Sequence, residues 1–221
     1  AAGLAIGLPP LRRLLPPGTL LARRGVPSTV LVRGIANFAF FGAEAYLPLA
    51  LVELHGLSLG AAGLMLTAAT LSWTAGSWAQ ARSMTSWGPA RLIRLGFVCV
   101  AVGLAGVIPV VIEQVPLPVT ALAWAVGGFG MGLLYSPIAQ LLLLVTTADD
   151  HGTTSASLML SDGLGAALGT GLGGAFVGIG AGLALGPEVG LGAAFLATTL
   201  VAAGGIWAAG RVASARVAAA G

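Results

Sequence analysis

The chain is predicted to be an all-α membrane protein built from six transmembrane helices. Of its 221 residues 57% are hydrophobic and only 8% charged, where an ordinary soluble domain carries about 25% charged residues. Long runs hold no charge at all, namely Leu57 to Ala81, Gln114 to Ala148 and Gly163 to Pro187, and each exceeds the roughly 20 residues that a helix needs to cross a bilayer. These runs are continuously apolar, unlike the alternating segments of about 10 residues that build a membrane barrel.

Residues 1–29 read as the stub of a preceding helix followed by a cytoplasmic linker. Ala1 to Leu8 is apolar but too short to span, and it lacks the charged start and longer apolar region of a signal peptide, so the chain reads as a fragment. Pro9, Pro10, Pro16, Pro17, Gly18 and Pro27 then keep the segment from becoming one helix. The six-helix bundle occupies 30–210, with helices expected near 30–54, 59–81, 92–112, 118–146, 153–180 and 189–210. Pro116, Pro118 and Pro187 fall in connections, while Asp149 and Asp150 with Thr153 or Thr154 supply a polar start for the fifth helix. Residues 211–221 are left as a cytoplasmic tail.

Six crossings return the chain to the side it left. All ten arginines lie on that side: Arg12, Arg13, Arg23, Arg24 and Arg33 at or before the first span, Arg82, Arg91 and Arg94 around the second connection, Arg211 and Arg216 after the last. The opposite connections hold Glu53, His55, Glu113 and Glu188 with no basic residue, so the positive-inside rule makes both termini cytoplasmic. The absence of lysine beside 35 glycines suggests a GC-rich bacterial genome, and hence the bacterial cytoplasmic membrane.

The net charge of +3 does not point to nucleic acid, because no basic tract is interleaved with aromatics. Cys99 is the only cysteine, so neither an intrachain disulfide nor a cysteine metal cluster can form. Carboxylates and histidines are scattered singly, which leaves metal ligation unsupported. No serine–histidine pair lies within the spans, so an intramembrane protease is not indicated. No cofactor is implied. Gly128 with Gly132, and Gly165, Gly169 and Gly173, repeat at a spacing of four and read as helix-packing positions where backbones approach closely.

Glu44 is the residue most suggestive of chemistry, with no other charge between Arg33 and Glu53. A charge at the bilayer centre costs about 2.5–3.5 kcal/mol on insertion scales, so such groups usually face a bundle interior or a water path. Arg33, Asn37, Phe41, Glu44 and Pro48 fall on one helical face, forming a polar stripe that leads inward to Glu44. Two readings stand: an exchanging proton carrier, or a permanently neutral Glu hydrogen-bonded to a neighbouring helix. Asp162, well inside the fifth helix, is either a second proton or substrate contact or an interhelical pairing residue. Tyr135 and Gln140 flank Pro137 in the fourth helix and are candidates to touch substrate.

Six spans with cytoplasmic ends, a long arginine- and proline-containing leading segment, and a charged second connection together resemble the carboxyl-terminal half of a major facilitator superfamily transporter. The segment Phe40-Phe41-Gly42-Ala43-Glu44-Ala45-Tyr46-Leu47-Pro48-Leu49 is similar to the first helix of that half in bacterial drug-exporter-like members. The family's loop signature is matched in part by Gly76, Arg82, Gly88, Arg91 and Arg94, with Gln80 where an acidic residue is expected and the connection lengthened. The resemblance implies two six-helix halves rocking about a midplane site, with carboxylates as proton carriers. It therefore implies a proton-coupled exporter of amphipathic small molecules. Glu44 and Asp162 would serve proton coupling, and Asn37, Phe41, Tyr135 and Gln140 would line the cavity. The second wall would come from a missing amino-terminal half or a second copy. A six-helix scaffold or regulatory subunit that carries no substrate is the alternative.

Overall fold

The computed structural model describes residues 15–112 and 115–212. The apolar stub, Arg12, Arg13, Glu113, Gln114 and Arg216 with most of the tail lie outside the described residues. Among the described residues the fold is helical: α1 Val26–Glu44, α2 Leu47–Glu53, α3 Leu59–Trp87, α4 Pro89–Val107, α5 Leu117–Val145, α6 His151–Gly182 and α7 Pro187–Ala209. Prolines open most of them, at Pro27, Pro48, Pro89, Pro118 and Pro187, because an unpaired N–H at the first turn costs proline nothing.

Three boundaries differ from expectation. The first helix is not continuous over 30–54: it stops at Glu44 and restarts at Leu47, since Pro48 has no N–H to return to the Glu44 carbonyl. The lengthened connection around residues 82–91 is absent, because no glycine or proline lies between Ala81 and Trp87, and Gly88 alone, at φ 74°, turns the chain into α4. The fifth span begins at His151, following a 3₁₀ turn at Ala148–Asp150, with no side-chain cap; Thr153 donates instead to the Asp150 carbonyl, at 2.9 Å.

Five helical segments are long and apolar enough to cross a membrane: Val26–Glu53, taking α1 and α2 together, Pro89–Val111, Leu117–Val145, Ala148–Gly182 and Pro187–Ala209. The chain thus has the build of a multi-pass membrane protein. At 29 residues, α3 is roughly 43 Å long at 1.5 Å per residue, but Thr67, Thr70, Ser72, Thr74, Ser77 and Gln80 dilute its apolar character.

Glycine contacts set the packing and the helix directions. In α6, Gly165 meets Gly34 of α1, Gly169 meets Phe38 and Gly42, and Gly173 meets the Tyr46 ring just beyond α1, so α1 and α6 run parallel. Gly128 of α5 lies on Ala69, and Gly132 on Trp73 and Gly76, which makes α3 parallel to α5. Gly96 faces Gly130 while Gly103 faces Gly127, an antiparallel pairing of α4 with α5. Gly205 of α7 abuts Phe97 and Ile35, and Thr198 reaches Gly42, setting α7 antiparallel to α1 and α4. A Cβ at Gly165, Gly169, Gly128 or Gly132 would strike a facing backbone carbonyl; small residues permit that approach where lipid supplies no hydrophobic drive.

The ends of the bundle are tied. Gly25 N–H and Ser28 Oγ both donate to the Arg211 carbonyl, at 3.0 and 2.6 Å, so the start of α1 sits beside the end of α7. Phe40 stacks on Trp124 at 4.6 Å in the core, which also holds Phe97, Met131 and Phe195.

Candidate functional site

The α1 stripe meets Asp162 of α6 and Tyr135 of α5 near its start and α3 near its end, while Gly34 and Gly42 pack against α6 and α7. It serves two separate clusters. Near the start of α1, Arg33 is buried, its side chain only 9% exposed, and it forms a two-pronged ion pair with Asp162 of α6, Nε to Oδ1 at 2.5 Å and Nη2 to Oδ2 at 3.1 Å. Asn37 Nδ2 donates to Asp162 Oδ1 at 2.8 Å and to the Arg33 carbonyl at 2.9 Å. Tyr135 Oη donates to Asp162 Oδ2 at 3.3 Å, and its ring lies 3.1 Å beneath the guanidinium carbon. The third Arg33 prong, Nη1, donates to the Tyr135 carbonyl at 2.7 Å, two residues before Pro137 interrupts the α5 hydrogen-bond ladder.

Asp162 thereby receives four donors on two oxygens, which satisfies a carboxylate that would otherwise be costly within an apolar bundle. Asn37 spends both amide hydrogens in this network and is 2% exposed. Arg33, expected to mark the edge of the membrane, is instead the partner of Asp162. The overlooked signal was complementarity: two lone opposite charges, each inside an apolar span, in helices that run parallel.

The second cluster surrounds Glu44 at the other end of α1. Phe40, Phe41 and Glu44 form one wall of a cleft of about 280 Å³, and Ala69, Thr70, Trp73 and Thr74 of α3 form the other. Glu44 is half-buried and has no hydrogen bond or ion pair among the described residues. Trp73 lies against Phe40 edge-on at 5.6 Å, 6.4 Å from Phe41, and 5.4 Å from the Tyr135 ring. This indole is the bridge between the two clusters. An unpaired carboxylate beside aromatic faces can hold a proton or a cationic group. Thr70, Trp73 and Thr74 supply the far wall, and only the pairing of α3 with α1 reveals them.

Asp162 is not among the residues that line the Glu44 cleft. Gln140 is exposed on α5 and makes no hydrogen bond among the described residues. Of the loop-signature positions, Gly76 is buried against Phe129 and Gly132, Arg82 stacks on Trp78 at 3.2 Å within α3, Gly88 forms the turn, and Arg91 and Arg94 are exposed on α4. Among the described residues no His, Cys, Asp and Glu cluster could hold a metal.

No protein-family model matches the chain, and no curated protein is similar to it.

Proposed function

We propose that the chain is the carboxyl-terminal six-helix half of a proton-coupled secondary transporter, exporting amphipathic small molecules from the bacterial cytoplasm. The observation that carries this reading is Glu44: an unpaired carboxylate inside an apolar bundle, opening onto an aromatic-walled cleft. An intramembrane ionisable group without a structural partner is a functional group by default. Protonation of Glu44 would permit the conformational switch, and the opposing wall would come from an amino-terminal half or a second copy.

In this reading α3 is the sixth crossing. Parity supports it. Helices α1, α4 and α6 run one way and α3, α5 and α7 the other, while the Gly25–Arg211 hydrogen bond holds the two ends of the bundle together. An even number of crossings is needed to bring the chain back. Arg23, Arg24, Arg82, Arg91, Arg94 and Arg211 then share one end and Glu53 and Glu188 the other, a bias that supports a cytoplasmic arginine end under the positive-inside rule.

A second reading, a six-helix scaffold or regulatory subunit, is favoured by the separation of Glu44 from Asp162 and by the saturated bonding of Asp162. Proteoliposomes separate the two. The full-length protein, loaded with an amphipathic fluorescent dye, should move the dye against its gradient when a pH gradient is imposed; a scaffold leaves the dye distribution unchanged.

A further inference from the structure

A hollow runs along the outside of the bundle where α1 and α6 touch. Gly34 and Gly165 bring the two backbones together there, with Ser161 the side chain nearest to Gly34, so the floor holds only small residues. The result is a groove of about 180 Å³, walled by Leu31, Ile35 and Phe38 of α1, Leu164 and Leu168 of α6 and Val201 of α7. A hollow lined by apolar side chains does not hold water, and left empty it forfeits dispersion contacts along every wall.

The groove is closed at one end by a preformed turn. Thr19 N–H donates to the Pro16 carbonyl at 3.1 Å, Ala22 N–H to Thr19 at 3.0 Å, and Arg23 N–H to Gly18 at 3.2 Å. Gly18, at φ 92°, allows the Arg23 side chain to lie directly across the turn. Leu15, Thr19 and Leu20 of this turn line the groove end. Leu20 and Leu21 are 50% and 72% exposed, and Arg23 and Arg24 beside them are exposed with no carboxylate partner among the described residues. An exposed leucine pair adjoining an exposed arginine pair, at the end of a membrane-crossing helix, places apolar side chains at acyl depth and guanidinium groups at headgroup depth.

We propose that this groove and turn bind one anionic phospholipid of the surrounding leaflet, a stretch of acyl chain lying between α1 and α6 and the phosphate held by Arg23 and Arg24. Guanidinium groups grip a phosphate through paired donors, and their charge selects an anionic headgroup over a zwitterionic one. The site is independent of whether the bundle transports.

The test is native mass spectrometry of the whole chain in detergent with equimolar phosphatidylglycerol and phosphatidylcholine. The wild-type protein should retain one phosphatidylglycerol, with a preference of roughly thirtyfold as expected for two arginines at an anionic surface. Arg23→Gln with Arg24→Gln, both at exposed positions, should erase the preference. Val201→Phe should fill the groove and lower retention of both lipids; should that variant not fold, Leu168→Trp on the exposed rim gives the same reading. Equal retention of the two lipids by the wild type, a preference surviving in the double variant, undiminished retention after groove filling, or a dimer that excludes lipid would each overturn the assignment.

Discussion

Arg33 of α1 and Asp162 of α6 meet prong to prong across two parallel helices, Nε 2.5 Å from Oδ1 and Nη2 3.1 Å from Oδ2. Removing one partner leaves the other as an uncompensated charge. Arg33→Met or Asp162→Leu should each cost about 3–5 kcal/mol, whereas the double variant Arg33→Met with Asp162→Leu should recover most of that loss. Thermal unfolding in detergent, arranged as a double-mutant cycle, measures it. Additive losses would show that the two side chains do not depend on each other.

The contact between α1 and α6 rests on missing side chains. Gly165→Leu would drive a side chain into the Gly34 carbonyl and should cost about 1–3 kcal/mol or more through overpacking. Gly163, two residues away on the same helix, has open space where its Cβ would be, so Gly163→Ala should be neutral or gain up to about 1 kcal/mol in helix propensity. Melting temperatures of the two variants in the same detergent should diverge in sign.

Crossing of the membrane by α3 has a direct chemical readout. In a Cys99→Ser background, Leu57→Cys and Ser86→Cys sit just before α3 and at its last turn. They should react with a membrane-impermeant maleimide from opposite sides of sealed vesicles. Labelling of both from one side would return α3 to the surface and leave five crossings.

Element existence was legible in the sequence because charge-free length and proline punctuation are local properties. The glycine series in α5 and α6 was legible for the same reason, a spacing of four on one strand of sequence. What local patterns did not carry was partnership. Arg33 looked like a membrane-edge arginine until α6 brought Asp162 to the same depth. Nothing local marked Trp73, whose indole bridges Phe41 and Tyr135 only because α3 is set against α1. The break after Glu44 depends on Pro48, four residues on, and it leaves Glu44 at the end of α1 rather than mid-helix.

Trp73 is the sole ring that touches both clusters among the described aromatic contacts. Trp73→Ala should lower gradient-driven flux while leaving the Arg33–Asp162 pair intact, and should cost about 3–5 kcal/mol at most as a large-to-small change at a half-buried position. Flux normalised to folded protein separates the two effects. Unchanged normalised flux would remove Trp73 from the transport cleft.

The most direct measurement is pH-gradient-driven flux through the full-length protein carrying Glu44→Gln, reconstituted beside the wild type. Loss of gradient-driven accumulation, with substrate exchange at equal pH retained, is expected of a carboxylate that carries the coupled proton. Accumulation undiminished in Glu44→Gln would contradict that role and, with it, the transport reading of the cleft.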